Sequence, residues 1–418
     1  MNDHLNRPKV AVTGIGVVTP LAWGVADNWA ALTAGRSGIR RIHRFPLDRL
    51  KTTIAGMVDL PNESTADPVP SPVRVERMAI FAIDEALAAA NIGTPGDFPG
   101  PLFLGMPPVE MEWPQRFALA RKANSGTYPA IVAAAESRQD YYETFLFGGV
   151  GERLAARFGT RGAPIALTTA CATGASAIQL GVEAIQRGET DAAIALGADG
   201  SVMPEGLIRF SLLSALSQRN EDPQKAARPF DKTRDGFVMS EGAAALILEN
   251  ADSARARGAT ILGFVSGCGE KADGFHRTRS NPDGSSIIGA MRNAIADAGL
   301  TPAEIGYVNA HGTGTPENDK MESLGMRAVF GDTPPPISSN KSMIGHTLSA
   351  AGAIEAVFSL LTIRDQLLPP TINHNEPDPT IGLDVVPNQA RATKGVRHAL
   401  SNSFGFGGQN VCLVLSGA

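Results

Sequence analysis

Three reactive side chains stand at places where a fold could bring them together. Cys171 lies in TTACATGAS, where an apolar stretch gives way to small, helix-tolerant residues. A thiol between a strand and a helix can hold its sulfur over the helix N-terminus, where free N–H groups and the helix dipole favour the thiolate. The N–H beside it can also serve an oxyanion. Packing is the plainer alternative, because free cysteine is among the most buried residue types. His311 follows a predicted strand in NAHGTGTPEND, and His346 precedes a glycine- and alanine-rich helix in SSNKSMIGHTLSAAGA. Their spacing is not that of metal ligands, and no third ligand is in range, so no metal site is expected.

Other side chains could support this chemistry. Lys341 comes five positions before His346 and Glu355 nine after it. If buried, such a lysine and carboxylate must pair, and could then orient the imidazoles; a surface salt bridge is the alternative. In SNSFGFGGQN, residues 401–410, three glycines surround Phe404 and Phe406. That turn can bring backbone N–H groups to a reacting atom while a phenylalanine guards a cavity, or it can simply close a hairpin. The early GIGVVTP is not a dinucleotide loop. The third glycine of that motif is missing, and proline breaks the helix start.

The elements that would position these groups alternate. Lys9–Val18 reads as a strand, followed by a helix that Asp27 can cap and Gly35 ends. PNESTADPVPSP (61–72) is a loop by composition, and Arg77–Ala90 a helix. PLFLG is a short strand before a long, partly helical excursion over 107–148. PIALTTA, ATGASAIQLGVEAIQRG and DAAIALGADG then give strand, helix and strand. From about residue 255 the pattern restarts, with the helices after Cys171 and His346 in matching places. The chain is therefore expected to be α/β, with duplicated halves spanning 1–254 and 255–418.

Composition narrows the class. The chain has 418 residues, 43% of them hydrophobic, and a net charge of -5, which gives no electrostatic case for nucleic acid. Three scattered cysteines without a CxxC suit a reducing compartment. Neither a signal-peptide core nor a membrane-length apolar run occurs, so a cytoplasmic protein is expected.

Taken together, TTACATGASAIQLG, RPFDKTRDGFVMSEGAAALILE, NAHGTGTPENDKMES, NKSMIGHTLSAAGAIEA and SNSFGFGGQN resemble the β-ketoacyl-acyl-carrier-protein synthases, and most closely the type II elongating enzymes. These segments spread over nearly the whole chain. The resemblance implies a thiolase-like fold, two βα halves in five layers αβαβα, usually homodimeric. It makes Cys171 the acyl-carrying nucleophile and His311 with His346 the decarboxylation and condensation pair. Lys341 and Glu355 become supporting residues, and Thr313 and Thr315 contact the phosphopantetheine arm. Phe406 becomes a gate whose N–H joins that of Cys171 in an oxyanion hole, and Phe404 lines the substrate cavity. The implied partner is acyl carrier protein, in acyl- and malonyl-loaded forms, with no metal or redox cofactor.

The sequence also departs from that pattern. GMPPVEMEWPQ replaces a glycine-rich turn, and the stretch from Met106 to Phe147 is unlike its counterpart. Its apolar residues Phe117, Leu119, Ile131, Val132, Phe145, Leu146 and Phe147 are expected to line an unusual acyl pocket. Ser214 stands where elongating relatives often place an arginine for the carrier protein, and Gln409 where threonine is common. Polyketide condensation or a specialised very-long-chain acceptor is the alternative reading. A non-catalytic chain-length factor fits poorly, because Cys171 and both histidines are present.

Overall fold

The computed structural model describes residues 1–61, 63 and 69–418, so much of the loop expected over 61–72 lies outside the described residues. The central sheet is built from β1 (Val10–Thr19), β2 (Leu102–Gly105), β3 (Ile165–Leu167), β4 (Ala192–Asp199) and β5 (Gly242–Asn250), then β6 (Gly263–Ala272), β7 (Tyr307–Asn309), β8 (Ile337–Ser338), β9 (His398–Phe404) and β10 (Gln409–Ser416). Their spatial order is β3-β2-β4-β5-β1-β6-β10-β9-β7-β8, and Ala22–Trp23 folds back on β1. The pairing repeats. In the first set, β1–β5 and β5–β4 are antiparallel while β4–β2 and β2–β3 are parallel. In the second, β6–β10 and β10–β9 are antiparallel while β9–β7 and β7–β8 are parallel. Val10–Val12 of β1 pairs with Gly263–Val265 of β6 and joins the two sets.

The helices complete the layers. They are α1 (Ser71–Ala90), α2 (Trp113–Ala123), α3 (Tyr128–Ala135), α4 (Gln139–Phe145), α5 (Gly149–Phe158), α6 (Thr173–Gln186), α7 (Pro204–Leu212), α8 (Ser285–Asp297), α9 (Pro316–Phe330) and α10 (Ala351–Asp365). Helix α1 covers the first set of strands and α8 the second, while α6 and α10 lie between them. This is the expected five-layer, duplicated αβαβα arrangement. Every residue of Ala351–Ile363 is buried, as a central helix without a solvent face requires. A Cβ on Gly174 would come within 2.7 Å of the Ala353 nitrogen, and one on Gly352 within 2.6 Å of the Ala175 nitrogen. The two middle helices cross where each is a glycine.

The glycines of GIGVV have a related purpose. A Cβ on Gly14 or Gly16 would lie 2.0 Å from the carbonyl oxygen of Ala86 or Ala82, so both let α1 seat directly on β1. Some local expectations need correction. Asp27 is not an N-cap: the helix Val25–Thr33 starts after Gly24 and carries Asp27 in its first turn. Helix α1 begins at Ser71, earlier than expected, with Pro72 tolerated in its first turn, where the N–H it lacks would have no helical partner. The excursion after β2 is helical over α2, α3 and α4, and leaves Phe117 57% and Tyr128 81% exposed.

Candidate active site

Cys171 stands between β3 and α6, one residue before the helix N-cap Ala172. Ala170 before it has φ 50°, a left-handed conformation uncommon for a residue with a Cβ. Thr173 pins this elbow: its hydroxyl accepts the Thr169 N–H at 2.8 Å and donates to the Ala170 carbonyl at 2.5 Å. His311 follows β7. His346 follows a short helix, Lys341–Ile344, and its backbone bridges to Met239. Three separate chain segments thus bring Sγ of Cys171 and one nitrogen of each imidazole within 4.8 Å of one another. The two rings meet edge to face at 5.3 Å, and all three residues are buried.

Their protonation follows from burial. Both imidazoles are held well below their ordinary value, first by burial and then by the Lys341 ammonium, so both are neutral. The Leu348 N–H donates to Nδ1 of His346 at 3.3 Å, which leaves the proton on Nε2. That Nε2 has no partner among the described residues. The expectation of a thiolate at Cys171 is not met in the resting chain. Burial pushes the thiol up to about 11, although the Phe406 N–H donating toward the sulfur and Lys341 act against it. A cysteine and two histidines could also take a transition metal. The ammonium that already opposes proton binding by both rings would equally oppose a divalent cation.

The supporting groups lie where they were sought. Lys341 and Glu355 form a buried ion pair, which settles the choice against a surface salt bridge. Burial nevertheless pushes the Glu355 carboxyl up to about 7. Phe404 packs edge-on to His311 at 5.6 Å. Phe406 is partly exposed and lies 6.5 Å from Phe210. Thr313 and Thr315 share a hydroxyl–hydroxyl hydrogen bond of 2.9 Å. A cavity of about 480 Å³ reaches Cys171, His311 and His346 and is lined by both threonines, Phe404, Phe406, Arg277 and Arg279, among others.

The two other cysteines do not line this cavity. Cys412 is buried in β10 against the Asn402 side-chain oxygen at 3.3 Å, and burial pushes the Cys268 thiol above the ordinary range. The excursion over Met106–Phe147 contributes no residue to the cavity that reaches Cys171. Pro107 and Pro108 cannot extend the strand pairing of β2, and the chain turns outward into surface helices. The apolar surroundings of Cys171 come instead from Val202, Leu207, Phe237, Met239 and Leu348.

Sequence reasoning missed some of the positioning groups. Glu322 on α9 is buried and accepts the N–H groups of His311 and Gly312 at 2.9 and 2.8 Å, and the Asn402 amide at 2.9 Å. Asp319, one turn earlier, accepts the Gly314 N–H at 3.1 Å. Two acids three apart in PENDKMES share one helix face, and that signal could have been read. The edge of Phe237 against the His346 ring, at 5.2 Å, had no such signal.

Comparison with known proteins agrees with this arrangement. The family model described as β-ketoacyl synthase, N-terminal domain, matches residues 7–254, and that for the C-terminal domain matches residues 262–375. A 3-oxoacyl-[acyl-carrier-protein] synthase 2 of Coxiella burnetii is 37% identical, with 99% of each chain covered. A β-ketoacyl synthase from Burkholderia phymatum superposes with a TM-score of 0.87 at 33% identity, covering 98% of this chain and 100% of that one. A ketosynthase solved in complex with its type II polyketide acyl-carrier protein gives a TM-score of 0.86 at 30% identity, with 99% and 100% covered. Matched along both halves and in the layers that bring one thiol to two neutral imidazoles, this chain belongs to the β-ketoacyl synthase family.

Proposed function

We propose that the chain is a 3-oxoacyl-[acyl-carrier-protein] synthase that lengthens fatty acyl chains by decarboxylative Claisen condensation. The observation that carries this reading is the convergence of Cys171, His311 and His346 at the foot of one cavity. In the first half-reaction the Cys171 sulfur attacks the acyl thioester, and the carrier thiol leaves with the proton that the cysteine gives up. In the second, a malonyl thioester occupies the same cavity. Its carboxylate leaves as carbon dioxide, and the electron pair of the broken carbon–carbon bond moves into an enolate. Neutral imidazole N–H groups are suited to hold the enolate oxygen, because each presents an N–H donor to the developing charge without giving up its proton. The enolate carbon attacks the acyl-cysteine carbonyl, whose oxyanion faces the N–H groups of Phe406 and Cys171. The sulfur then leaves as thiolate and takes a proton from solvent, since the cysteine's own proton left with the first carrier thiol.

Burial and the Lys341 ammonium keep both rings neutral, Glu355 holds that lysine in place, and Thr313 with Thr315 suits the polar phosphopantetheine arm. No electrons are gained or lost overall, so the reaction calls for no redox cofactor, and the imidazole N–H groups fill the place a Lewis acid would have at the enolate oxygen. The carrier protein would meet the cavity mouth at Arg277 and Arg279. We further place the enzyme in the cytoplasm as a homodimer. Its cysteines are all unpaired, and no helix among the described residues is long and apolar enough to cross a membrane. Strand β3 ends the sheet with Ile165 46% exposed, an edge that a second copy could continue across a two-fold axis. Polyketide condensation uses the same geometry, and the likeness to a polyketide ketosynthase keeps it as the second reading.

Intact-protein mass spectrometry followed by peptide mapping, after incubation with acyl-carrier proteins of graded chain length, tests the reading. An acyl adduct on the Cys171 peptide is expected, strongest with saturated chains. Adducts formed only from 3-oxo chains favour the polyketide reading, and an adduct at another residue contradicts both.

A further inference from the structure

Asp199 is a fully buried acid to which the reaction above gives no role. It ends β4, and its carboxylate crosses from the first half of the chain to the second. One oxygen accepts the Ser201 N–H at 2.9 Å, and the other accepts the Ser349 N–H at 3.0 Å. The groups that favour its charged form are the N–H and hydroxyl groups of these two serines. A buried carboxylate held only by such groups is costly to keep, and so needs a reason.

Ser349 belongs to the turn that presents His346. Within that turn Leu348 has φ 46°, a left-handed conformation that a leucine adopts only where its surroundings impose it. In the same turn the Leu348 N–H donates to Nδ1 of His346. The turn is otherwise held at its ends. The His346 N–H donates to the Val238 carbonyl at 2.7 Å, and the Ala350 N–H to the Thr347 carbonyl at 2.9 Å. The strand is seated close to it: a Cβ on Gly197, two residues before Asp199, would lie 2.8 Å from Cβ of Ala353. Between these fixed points the Ser349 N–H is grasped by Asp199 alone.

We propose that Asp199 is a positioning residue: by holding the Ser349 N–H it imposes the turn 346–349, and with it the direction in which His346 presents its Nε2–H above Cys171. The proposal rests on the condensing reading for its kinetic consequence but not for its structural one. Asp199 itself touches no reacting atom. Its charge also raises the Cys171 thiol, but its hold on the histidine runs through Leu348 and His346.

The test is Asp199→Asn in the full chain. The amide keeps the shape but turns an NH₂ toward one of the two N–H donors, so one bond is lost. Malonyl-carrier decarboxylation is expected to fall about tenfold or more, in keeping with the cost of a misplaced catalytic group. Acyl transfer to Cys171 is expected to fall much less. In protein labelled with ¹⁵N-histidine, the native His346 signals should show a protonated Nε2 and a bare Nδ1, and the variant should lose that distinction. Asp199→Ser, smaller than the native side chain and able to serve only one N–H, is the second variant should the first not fold. Unchanged His346 signals in a folded variant overturn the proposal, as does an equal loss in both half-reactions. If the native protein decarboxylates no malonyl thioester, the reaction has been misread, and the nitrogen signals still decide the role of Asp199.

Discussion

Lys341 and Glu355 offer the sharpest energetic test, because their side chains are only 2% and 1% exposed. Removing one partner of such a pair leaves an uncompensated charge and costs ~3–5 kcal/mol, whereas replacing both with apolar groups of similar volume is neutral or stabilising by ~1–4 kcal/mol. Glu355→Leu should therefore destabilise the protein strongly, and Lys341→Met/Glu355→Leu should restore or exceed native stability while losing activity. The pH dependence has a defined sign. Burial raises the Glu355 carboxyl to about 7 from an ordinary 4.5, so the folded chain binds this proton more tightly than the unfolded chain. Its contribution is fully present below 4.5 and is lost as pH rises through about 7. Urea unfolding of the native, single and double variants at about pH 5 and about pH 8 reads both effects. At about pH 8, where both members are charged, a single variant costing under about 1 kcal/mol, or a double as unstable as the single, would refute the reasoning.

Other outcomes follow from the same geometry. Cys171→Ala should abolish acyl-enzyme formation, whereas Cys268→Ala and Cys412→Ala should retain it; a mass shift on either of the latter cysteines in the native protein would overturn the assignment. His311→Ala and His346→Ala should each slow malonyl decarboxylation by on the order of a hundredfold or more while sparing acyl transfer to Cys171, as loss of an oxyanion donor does. A rate near native in either variant removes that histidine from the step. Gly16→Ala should force β1 and α1 apart, because its Cβ would sit 2.0 Å from the Ala82 carbonyl oxygen. A cost of ~1–3 kcal/mol or more is expected in thermal unfolding, and an unchanged midpoint would show that the helix can shift freely.

Much of this arrangement was legible in the residues. Alternating strand and helix patterns, with small-residue helices after Cys171 and His346, announced the duplicated halves, because a helix without a polar face must lie between layers. The reactive triad was legible too, since each member stands at a strand end or before a helix. What stayed hidden depended on tertiary distance. Burial raises the Cys171 thiol, and no local signal told how deeply the fold would bury it. The excursion over 107–148 misled because apolar residues such as Phe117 and Val132 suggest a pocket whichever surface they occupy. Asp199 looked like the end of a strand, and only the return of the chain at Ser349, in the other half, shows what its carboxylate holds.

The most direct measurement of the central claim is intact mass analysis of the carrier protein after one turnover. Enzyme acylated on Cys171 is mixed with malonyl-carrier protein, and the carrier-bound product is weighed. The account predicts a 3-oxoacyl chain two carbons longer than the acyl group loaded, formed only when His311 and His346 are both present. Recovery of the original acyl group as free acid, with malonyl-carrier protein unchanged, would contradict it.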